Sequence, residues 1–193
     1  MLRDLSLTKR EKMVYSGKKF EIIVASQLSS IFNYPILLNR QFLDRRIGKG
    51  MECDLVLVTP FKIYCIECKN YSGYIAGNLF DEKWRFASSG RKGKVQNPYL
   101  LNKRRIRVIR GKFYENNYNP PKIENVIVVP DNCNIHVDYK NVYNLTDFIN
   151  IVKIDSVTNK DVYRTEKLSE FLVSNSGRRQ GWFLKVIGAL GYL

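Results

Sequence analysis

The sequence predicts a mixed α/β fold, in which helices flank a central β-sheet that contains both antiparallel and parallel strands. Apolar, strand-like runs follow one another along the chain, at 35–43, 51–58, 61–69, 74–80 and 124–130. The last run does not alternate between apolar and polar residues, which is typical of a parallel strand buried on both faces. A helical segment precedes it, so the chain passes from strands through a helix to another strand.

Capping residues mark the predicted helices. Thr8–Glu11 has the spacing of a capping box, and the segment 16–32 that follows has the apolar spacing of a helix, with Glu21 at the boundary between core and solvent. Asn97 and Pro98 mark the start of a second helix, as its N-cap and its first residue. Two further helices are predicted at 146–151 and 157–173.

The charge of the chain points to a polyanionic partner. The length of 193 residues suits one domain, and the hydrophobic fraction of 45% is that of a globular protein. The net charge of +14 favours either nucleic acid or an anionic membrane surface as a partner. Eleven Lys and Arg residues, and no Asp or Glu, lie between Lys83 and Lys112. We therefore expect a polyanion-binding surface there rather than an ordinary solvated face.

We divide the chain into an N-terminal helical lead-in (1–15), a core (16–140) and a C-terminal helical extension (141–193). The extension ends in an apolar tail, 181–193, which could pack on the domain, form a homodimer contact or rest on a membrane surface. No apolar run reaches the roughly 18 residues that cross a bilayer, so we expect no transmembrane segment. The N-terminus lacks the apolar core of a signal peptide, and we expect a cytoplasmic protein.

Three of the four cysteines, Cys53, Cys65 and Cys68, lie in the strand-like runs. Cys65 and Cys68 have CxxC spacing, but residues three apart in a strand face opposite sides, so these two cannot chelate one ion. With His136 as the only histidine and no second CxxC, the ligand count disfavours a structural zinc site. Cysteines used as small apolar residues are typical of a reducing compartment.

A carboxylate and a lysine, Glu67 and Lys69, end the third apolar run. Residues i and i+2 of a strand share a face, so these two side chains project together while Cys68 projects the other way. An apolar strand seldom ends in this manner, and the pair is therefore a candidate functional site.

Strand register predicts a second carboxylate beside Glu67. Thr59–Lys62 is the natural turn between the second and third runs, and its proline favours a loop wider than two residues. A symmetric turn pairs Val58 with Ile63 and so places Asp54 opposite Glu67, with Cβ atoms roughly 5 Å apart. Two carboxylates at that distance repel unless a cation or a proton lies between them.

Asp54 and Glu67 offer the hard oxygen ligands that Mg²⁺ prefers, and the backbone carbonyl of Cys68 could complete the shell. A bound metal would activate water and stabilise charge on a phosphodiester, and Lys69 would position the water or neutralise that charge. Glu21 could hold a metal-bound water or a second ion. The alternative interpretation is an exposed ion pair without function, which the spacing alone also permits.

Six segments along the chain form a recognisable set of motifs. In chain order they are Gly17–Glu21, Glu52–Val58, Glu67–Gly73, Trp84, Asn97–Pro98 and Val126–Val129. Together they resemble the NERD (nuclease-related) domain of the PD-(D/E)XK nuclease superfamily, in its helical opening, its Glu-Ile-Asp strand, its Glu-x-Lys-x-x-x-Gly signature, the tryptophan and Asn-Pro that follow, and a later strand. One position departs from the pattern: the family often has Gln three residues after the proline, whereas this chain has Leu101 there and Gln96 before the motif.

The resemblance implies a restriction-endonuclease-like core, with Glu21, Asp54, Glu67 and Lys69 as the catalytic set. It implies a deoxyribonuclease that depends on Mg²⁺, with Mn²⁺ able to substitute, and endonuclease rather than exonuclease cleavage. The metal would be held by Asp54, Glu67 and the Cys68 carbonyl, with Glu21 acting through water. The candidate nucleic-acid-binding residues are Lys83, Arg85, Arg91, Lys92, Lys94, Gln96, Lys103, Arg104 and Arg107.

Two alternatives stand beside a nuclease. One is a module that keeps the nuclease fold and binds nucleic acid without cleaving it, and the other is a peripheral membrane protein anchored by the tail. The sequence leaves open whether the substrate is DNA or RNA. Trp84, Phe86 and Tyr99 could stack on bases, although a place in the core or at an interface is the simpler interpretation of each.

Overall fold

The computed structural model describes residues 9–88, 90–160 and 162–178. The predicted capping box at Thr8 and the apolar tail 181–193 therefore lie outside the described residues. The elements follow in the order α1 (Lys9–Ile31), β1 (Ile36–Asp44), β2 (Lys49–Val58), β3 (Ile63–Cys68), β4 (Tyr74–Asn78), β5 (Lys83–Ser88), β6 (Arg91–Gln96), α2 (Pro98–Glu115), β7 (Ile123–Val129), β8 (Asn134–Asp138), β9 (Val142–Asn144), α3 (Leu145–Thr158), α4 (Thr165–Ser174) and β10 (Gly177–Arg178).

A six-stranded mixed sheet forms the centre of the molecule, with the strand order β10-β1-β2-β3-β7-β9. The pairs from β10 to β3 are antiparallel, whereas β3 pairs with β7, and β7 with β9, in parallel. The predicted α/β fold with a mixed sheet is thus confirmed, and so is the parallel, buried character of the strand at 123–129.

Helices cover both faces of this sheet. On one face, α1 and α3 pack against Leu55, Leu57 and Ile66. On the other face, α2 and α4 pack against Val56 and Val58. Each large aliphatic or aromatic side chain buried in these layers contributes roughly 1.5–3 kcal/mol to folding, so the two apolar clusters hold the sheet in place.

A second sheet, with the order β6-β5-β4-β8, was not predicted. Residues from Arg91 onward form β6, which pairs antiparallel with β5. This strand lies at the edge of its sheet and is exposed along most of its length. It carries no apolar alternation because no face of it is buried, and the usual pattern of a strand is therefore missing from the sequence.

The C-terminal helices are divided differently from the prediction. The second predicted helix, 157–173, is interrupted, because α3 continues to Thr158 and α4 begins only at Thr165. The backbone N–H groups of Val162 and Tyr163 both donate to the carbonyl of Pro60, at 2.7 and 2.8 Å. This contact with the β2–β3 turn takes the connection out of helical geometry. No helix in the described ranges is long and apolar enough to cross a membrane.

The turn between β2 and β3 has the predicted register. Val58 pairs with Ile63, and the four-residue loop between them is wider than a two-residue hairpin turn. The Thr59 hydroxyl closes the loop, because it donates to the carbonyl of Lys62 at 2.7 Å and accepts from the N–H of the same residue at 3.1 Å. The same register, continued beyond the last recorded pair, places Asp54 opposite Glu67.

The alternation of side chains reverses within both β1 and β2. In β1, Leu38 packs toward α1 and α3, whereas Phe42 packs toward α2 and α4, although residues four apart in a regular strand share a face. In β2, Cys53 and Leu55 likewise lie on opposite faces. The pairs that flank the reversal place Asn39 opposite Asp54.

Asn39 supplies the backbone conformation that this reversal needs. Its φ is +50°, in the left-handed region that asparagine and glycine tolerate better than other residues. Asn39 is also buried, and its side-chain Oδ1 accepts a hydrogen bond from Lys18 Nζ at 2.5 Å. The reversal therefore joins the fold of the sheet to the residues around Asp54.

Substitutions of Asn39 should separate backbone strain from the loss of the amide. Asn39→Gly and Asn39→Ala both remove the hydrogen bond to Lys18, but only alanine suffers steric strain at positive φ. We expect Asn39→Ala to be the less stable of the two by about 1 kcal/mol, measured as the free energy of unfolding in urea. Equal losses for the two variants would show that the positive φ is not a constraint.

Candidate metal and catalytic cleft

A cleft of about 690 Å³ opens where α1, the ends of β2 and β3, and α2 meet the second sheet. The four residues that the sequence suggested as a catalytic set, Glu21, Asp54, Glu67 and Lys69, all line it. They arrive from three different elements, since Glu21 lies on α1, Asp54 on β2, and Glu67 and Lys69 at the end of β3.

Glu67 is the most buried of these residues, at 2% exposure. Its Oε1 lies 2.5 Å from Lys69 Nζ, and its Oε2 pairs with the guanidinium of Arg105. Burial acts to raise the pKa of Glu67, but the charges of Lys69 and Arg105 outweigh burial and hold the pKa below its ordinary value. Glu67 is therefore ionised at neutral pH, and it shares a face with Lys69 as the strand periodicity predicted.

Asp54 lies beside Glu67 in a different electrostatic setting. Its Oδ2 accepts a hydrogen bond from the backbone N–H of Cys68 at 2.9 Å, but it forms no ion pair with any described residue. Burial, followed by the negative charges of Glu67 and Glu21, raises the pKa of Asp54 to about 8. The cleft thus holds one carboxylate whose charge its immediate neighbours do not compensate.

Glu21 is held by a lysine that sequence reasoning missed. Lys18 Nζ contacts Glu21 Oε2 at 2.8 Å and Glu52 Oε1 at 3.1 Å, and it also donates to Asn39. Burial raises the pKa of Glu21 even though Lys18 opposes this effect. The position of Lys18, three residues before Glu21 on the same helix, was the available indication, because such residues are neighbours on a helix surface.

Arg105 is the second site residue that sequence reasoning missed. Its neighbours in the basic stretch of α2 are exposed, whereas Arg105 is mostly buried against Glu67. It lies three residues after Asn102 and four before Ile109, and both of these are fully buried. A helical projection would therefore have placed Arg105 on the core side of α2.

Asn102 and Arg105 supply the polar contacts of α2, which has Leu101 at the position where the family pattern often has glutamine. The fully buried amide of Asn102 donates to the Cys65 carbonyl at 2.7 Å and to Asn125 Oδ1 at 2.8 Å, which fixes α2 against β3 and β7. Gln96 is exposed on β6, away from these contacts. The polar contribution of α2 to the cleft comes from Arg105, one turn beyond the usual glutamine position.

Cys68 packs its side chain into the apolar cluster under α1 and α3, while Cys65 packs into the cluster under α2 and α4. The two thiols thus lie on opposite faces of the sheet, as the strand periodicity predicted. The contact of Cys68 with the cleft is through its backbone, whose N–H binds Asp54.

The oxygen donors of the cleft fit a hard divalent cation. Asp54 and Glu67 lie on neighbouring strands, and the pKa of Asp54 is raised by burial and then by the negative charges of Glu67 and Glu21. No group of three or more His, Cys, Asp or Glu side chains is arranged as a metal site in the described residues. Mg²⁺ suits a site with only two carboxylates, because it usually keeps several water ligands.

The predicted basic surface is divided into three parts. Arg91 and Lys94 line the cleft itself. A second depression, on the far side of the second sheet, is lined by Lys83, Arg85 and again Lys94, together with acidic residues. The predicted contacts on α2 line a separate groove, and they are Lys103, Arg104 and Arg107. Lys92 and Gln96 are exposed on β6.

The three aromatic candidates for base stacking also separate. Trp84 is fully buried, and its Nε1 donates to the carbonyl of Asn78 at 2.7 Å. Tyr99 packs on Tyr139, with ring centroids 4.6 Å apart. Phe86 lines the cleft and stacks on Tyr71 at 4.5 Å, so it is the one member of the three that faces the carboxylates.

The neutral variant Asp54→Asn should stabilise the metal-free protein at alkaline pH. Because the pKa of Asp54 is about 8 in the folded state, against roughly 3.9 when unfolded, stability falls as the pH rises from about 4 to 8. Asparagine carries no charge but keeps an oxygen that can accept the hydrogen bond from the Cys68 N–H. We expect the Tm in EDTA to rise by about 2–4 °C at pH 8.5, which corresponds to about 1 kcal/mol, and by less at pH 5.

The matched control is Asp138→Asn, at an exposed position on β8, which should change Tm little at either pH. An equal gain for Asp54→Asn at both pH values would show that its charge is not the cause.

Comparison with known proteins identifies the family of the chain. The chain is 26% identical over 106 residues to an uncharacterized protein of Bacillus anthracis, a match that covers 54% of this chain and 50% of that protein. The chain thus spans about half the length of this relative. No solved structure matches this chain significantly. Residues 16–130 match the nuclease-related domain, NERD; they make up more than half of the chain and include Glu21, Asp54, Glu67 and Lys69. The chain therefore belongs to the NERD family of nuclease-related domains.

Proposed function

We propose that the protein is a metal-dependent nuclease that hydrolyses phosphodiester bonds in DNA. The observation that carries the proposal is the convergence of Asp54, Glu67 and Lys69 in a cleft that also has basic residues on its wall. Two carboxylates and an ammonium group in one cleft match the needs of phosphodiester hydrolysis, which requires a cation, an oriented water and charge neutralisation.

Asp54 and Glu67 would hold Mg²⁺, or Mn²⁺ in its place, with the Cys68 carbonyl as a further ligand. When bound, the ion would lower the pKa of water and stabilise charge on the phosphate. The raised pKa of Asp54 in the metal-free protein supports this role, because an added cation would relieve the repulsion among the carboxylates.

The chain's own cations have separate tasks in this proposal. Lys69, whose pKa is raised above its ordinary value by Glu67 and Asp54 against the effect of burial, stays charged and can orient the attacking water or neutralise the phosphate. Arg105 is a positioning residue, since it acts on the second oxygen of Glu67. Lys18 bridges Glu21 and Glu52 in the cleft and compensates their charges.

Arg91 and Lys94 would guide the nucleic-acid backbone into the cleft from the side of the second sheet. Endonuclease rather than exonuclease cleavage is part of this proposal. The buried, free cysteines Cys53, Cys65, Cys68 and Cys133 support a reducing, cytoplasmic location.

A non-catalytic nucleic-acid-binding module is the second candidate, and one observation favours it. Both oxygens of Glu67 are already engaged, one by Lys69 and one by Arg105. A metal would have to share or displace one of these contacts, and if it cannot, the cleft binds nucleic acid without cleaving it.

Cleavage assays with charge-neutral variants distinguish the two. Supercoiled plasmid incubated with Mg²⁺ or Mn²⁺ should be nicked by the wild-type protein and protected by EDTA. Asp54→Asn and Glu67→Gln should each lower the nicking rate by about 10²–10³-fold, because each removes a charge that the transition state requires. The exposed control Glu170→Gln on α4 should cleave like the wild type.

Full activity in the Asp54 and Glu67 variants would contradict the nuclease proposal. Binding of DNA by the wild type without nicking under either metal would leave the binding module as the function.

A further inference from the structure

The separate groove on α2, with a volume of about 820 Å³, lies between the exposed face of that helix and the β1–β2 hairpin. None of the described residues lines both this concavity and the cleft that holds the carboxylates. Two acidic residues, Asp44 and Glu115, and six basic residues line it, and the basic residues are Arg45, Arg46, Lys103, Arg104, Arg107 and Arg110. We call this feature the α2 groove.

The wall of the groove on α2 is a stripe of like charge. Lys103, Arg104, Arg107 and Arg110 are all exposed and follow one another at the three- and four-residue spacing of one helix face. None of them forms an ion pair with a described residue. Like charges at this spacing cost a helix about 0.2–0.5 kcal/mol per pair, so the stripe is maintained at the expense of stability.

The opposite wall is the turn of the β1–β2 hairpin, and it compensates the acids of the groove. Arg46 donates to both carboxylate oxygens of Asp44, at 3.2 and 3.0 Å, and Arg45 lies 3.6 Å from Glu115. The hydrogen bonds from Arg46, together with the nearby charge of Arg107, hold the pKa of Asp44 below its ordinary value. Arg46 thus neutralises Asp44 from the hairpin. Glu115 is paired with Arg45 and, at 3.0 Å, with Lys112, which is not part of the stripe. The charge of the α2 stripe is therefore not cancelled.

The dimensions of the groove suit a nucleic-acid backbone. From Leu100 to Glu115, which lie near its two ends, α2 rises about 22 Å, or about six nucleotide steps of a duplex. A long concave track whose basic residues are mostly arginines fits a chain of phosphates, because guanidinium groups bind phosphate oxygens with two parallel hydrogen bonds. A flat lipid surface would contact only the rim of such a concavity.

The groove and the cleft are connected through α2. Arg105 faces the buried carboxylate Glu67, and its neighbour Arg104 lines the groove. One helix therefore separates the two features, and a nucleic acid that leaves the cleft around α2 meets the stripe.

We propose that the α2 groove is a second binding site, which holds the sugar-phosphate backbone of nucleic acid several nucleotides away from the bond that is cleaved in the cleft. The proposal rests on the proposed function for the identity of the polyanion, but the site itself stands on the groove's charge and shape. Arg45 and Arg46 become binding residues that the sequence did not suggest.

The test is DNA binding by the full chain in EDTA, so that cleavage plays no part. Fluorescence anisotropy with 10- and 30-base-pair duplexes would compare the wild type with Arg104→Ala/Arg107→Ala. Loss of two phosphate contacts should lower the slope of log Kd against log salt by about 1.8 and weaken binding about 30-fold at 0.15 M salt. The 30-base-pair duplex should be affected more, because the short one cannot occupy cleft and groove together.

Two controls accompany this test. Lys153→Ala/Lys167→Ala removes the same charge from exposed positions on α3 and α4 and should leave the salt slope unchanged. Arg104→Lys/Arg107→Lys keeps the charge and should keep most of the slope, which excludes a folding defect as the cause.

Several results would overturn the proposal. Unchanged affinity in the alanine variant would do so, and so would an equal loss in the Lys153/Lys167 control. Loss of binding to phosphatidylserine vesicles with unchanged DNA affinity would instead assign the groove to a membrane surface. Groove-dependent DNA binding without any nicking under Mg²⁺ or Mn²⁺ would support the groove and refute only the proposed nuclease activity.

Discussion

A buried carboxylate at the end of a central strand, Glu67, places the strongest constraint on this structure. An ionised carboxylate that is 2% exposed is tolerated only where opposite charge and hydrogen bonds replace its hydration. Lys69 compensates it from the same strand, and Arg105 does so from α2. The position of α2 is thereby tied to the site, and the buried amide of Asn102 fixes the same helix to β3 one turn earlier. The packing of α2 on the sheet and the charge compensation of Glu67 therefore depend on the same position of this helix.

The charges of the neighbouring carboxylates are compensated less completely than that of Glu67, and this difference makes the cleft suited to bind a cation. Glu21 and Glu52 share Lys18, whereas the hydrogen-bond partner of Asp54 within the described ranges is the Cys68 N–H. A fold selected for stability alone would place an apolar or neutral residue where Asp54 lies, since its pKa of about 8 reflects a cost of keeping it charged. The left-handed Asn39 opposite it adds a second local cost. Departures from local stability rules that gather at one point are typical of a functional site.

The sequence was sufficient for those parts of the structure that depend on local periodicity. The Val58–Ile63 register and the Asn97 cap followed from strand alternation and capping chemistry, and both are present. What could not be predicted depends on contacts between distant segments. The reversal at Asn39 could not be predicted because asparagine is common in polar loops. Strand β6 could not be predicted because an exposed edge strand needs no apolar face. Arg105 looked like one more basic residue of α2 until the position of that helix over Glu67 was known.

The absence of acidic residues between Lys83 and Lys112 now has a structural explanation in two parts. On the inner side of α2, an acid next to Arg105 would compete with Glu67 for the guanidinium and would release an uncompensated buried charge. On the outer side, an acid among Arg104, Arg107 and their neighbours would form the i,i+4 pairs that stabilise a helix and would cancel the stripe. The helix forgoes that stabilisation along the stripe, and its ion pair between Lys112 and Glu115 lies at the C-terminal end. Because an isolated helix gains nothing from such repulsion, the uniform charge of the stripe is best explained by a polyanion that passes from the cleft to the groove across this one element.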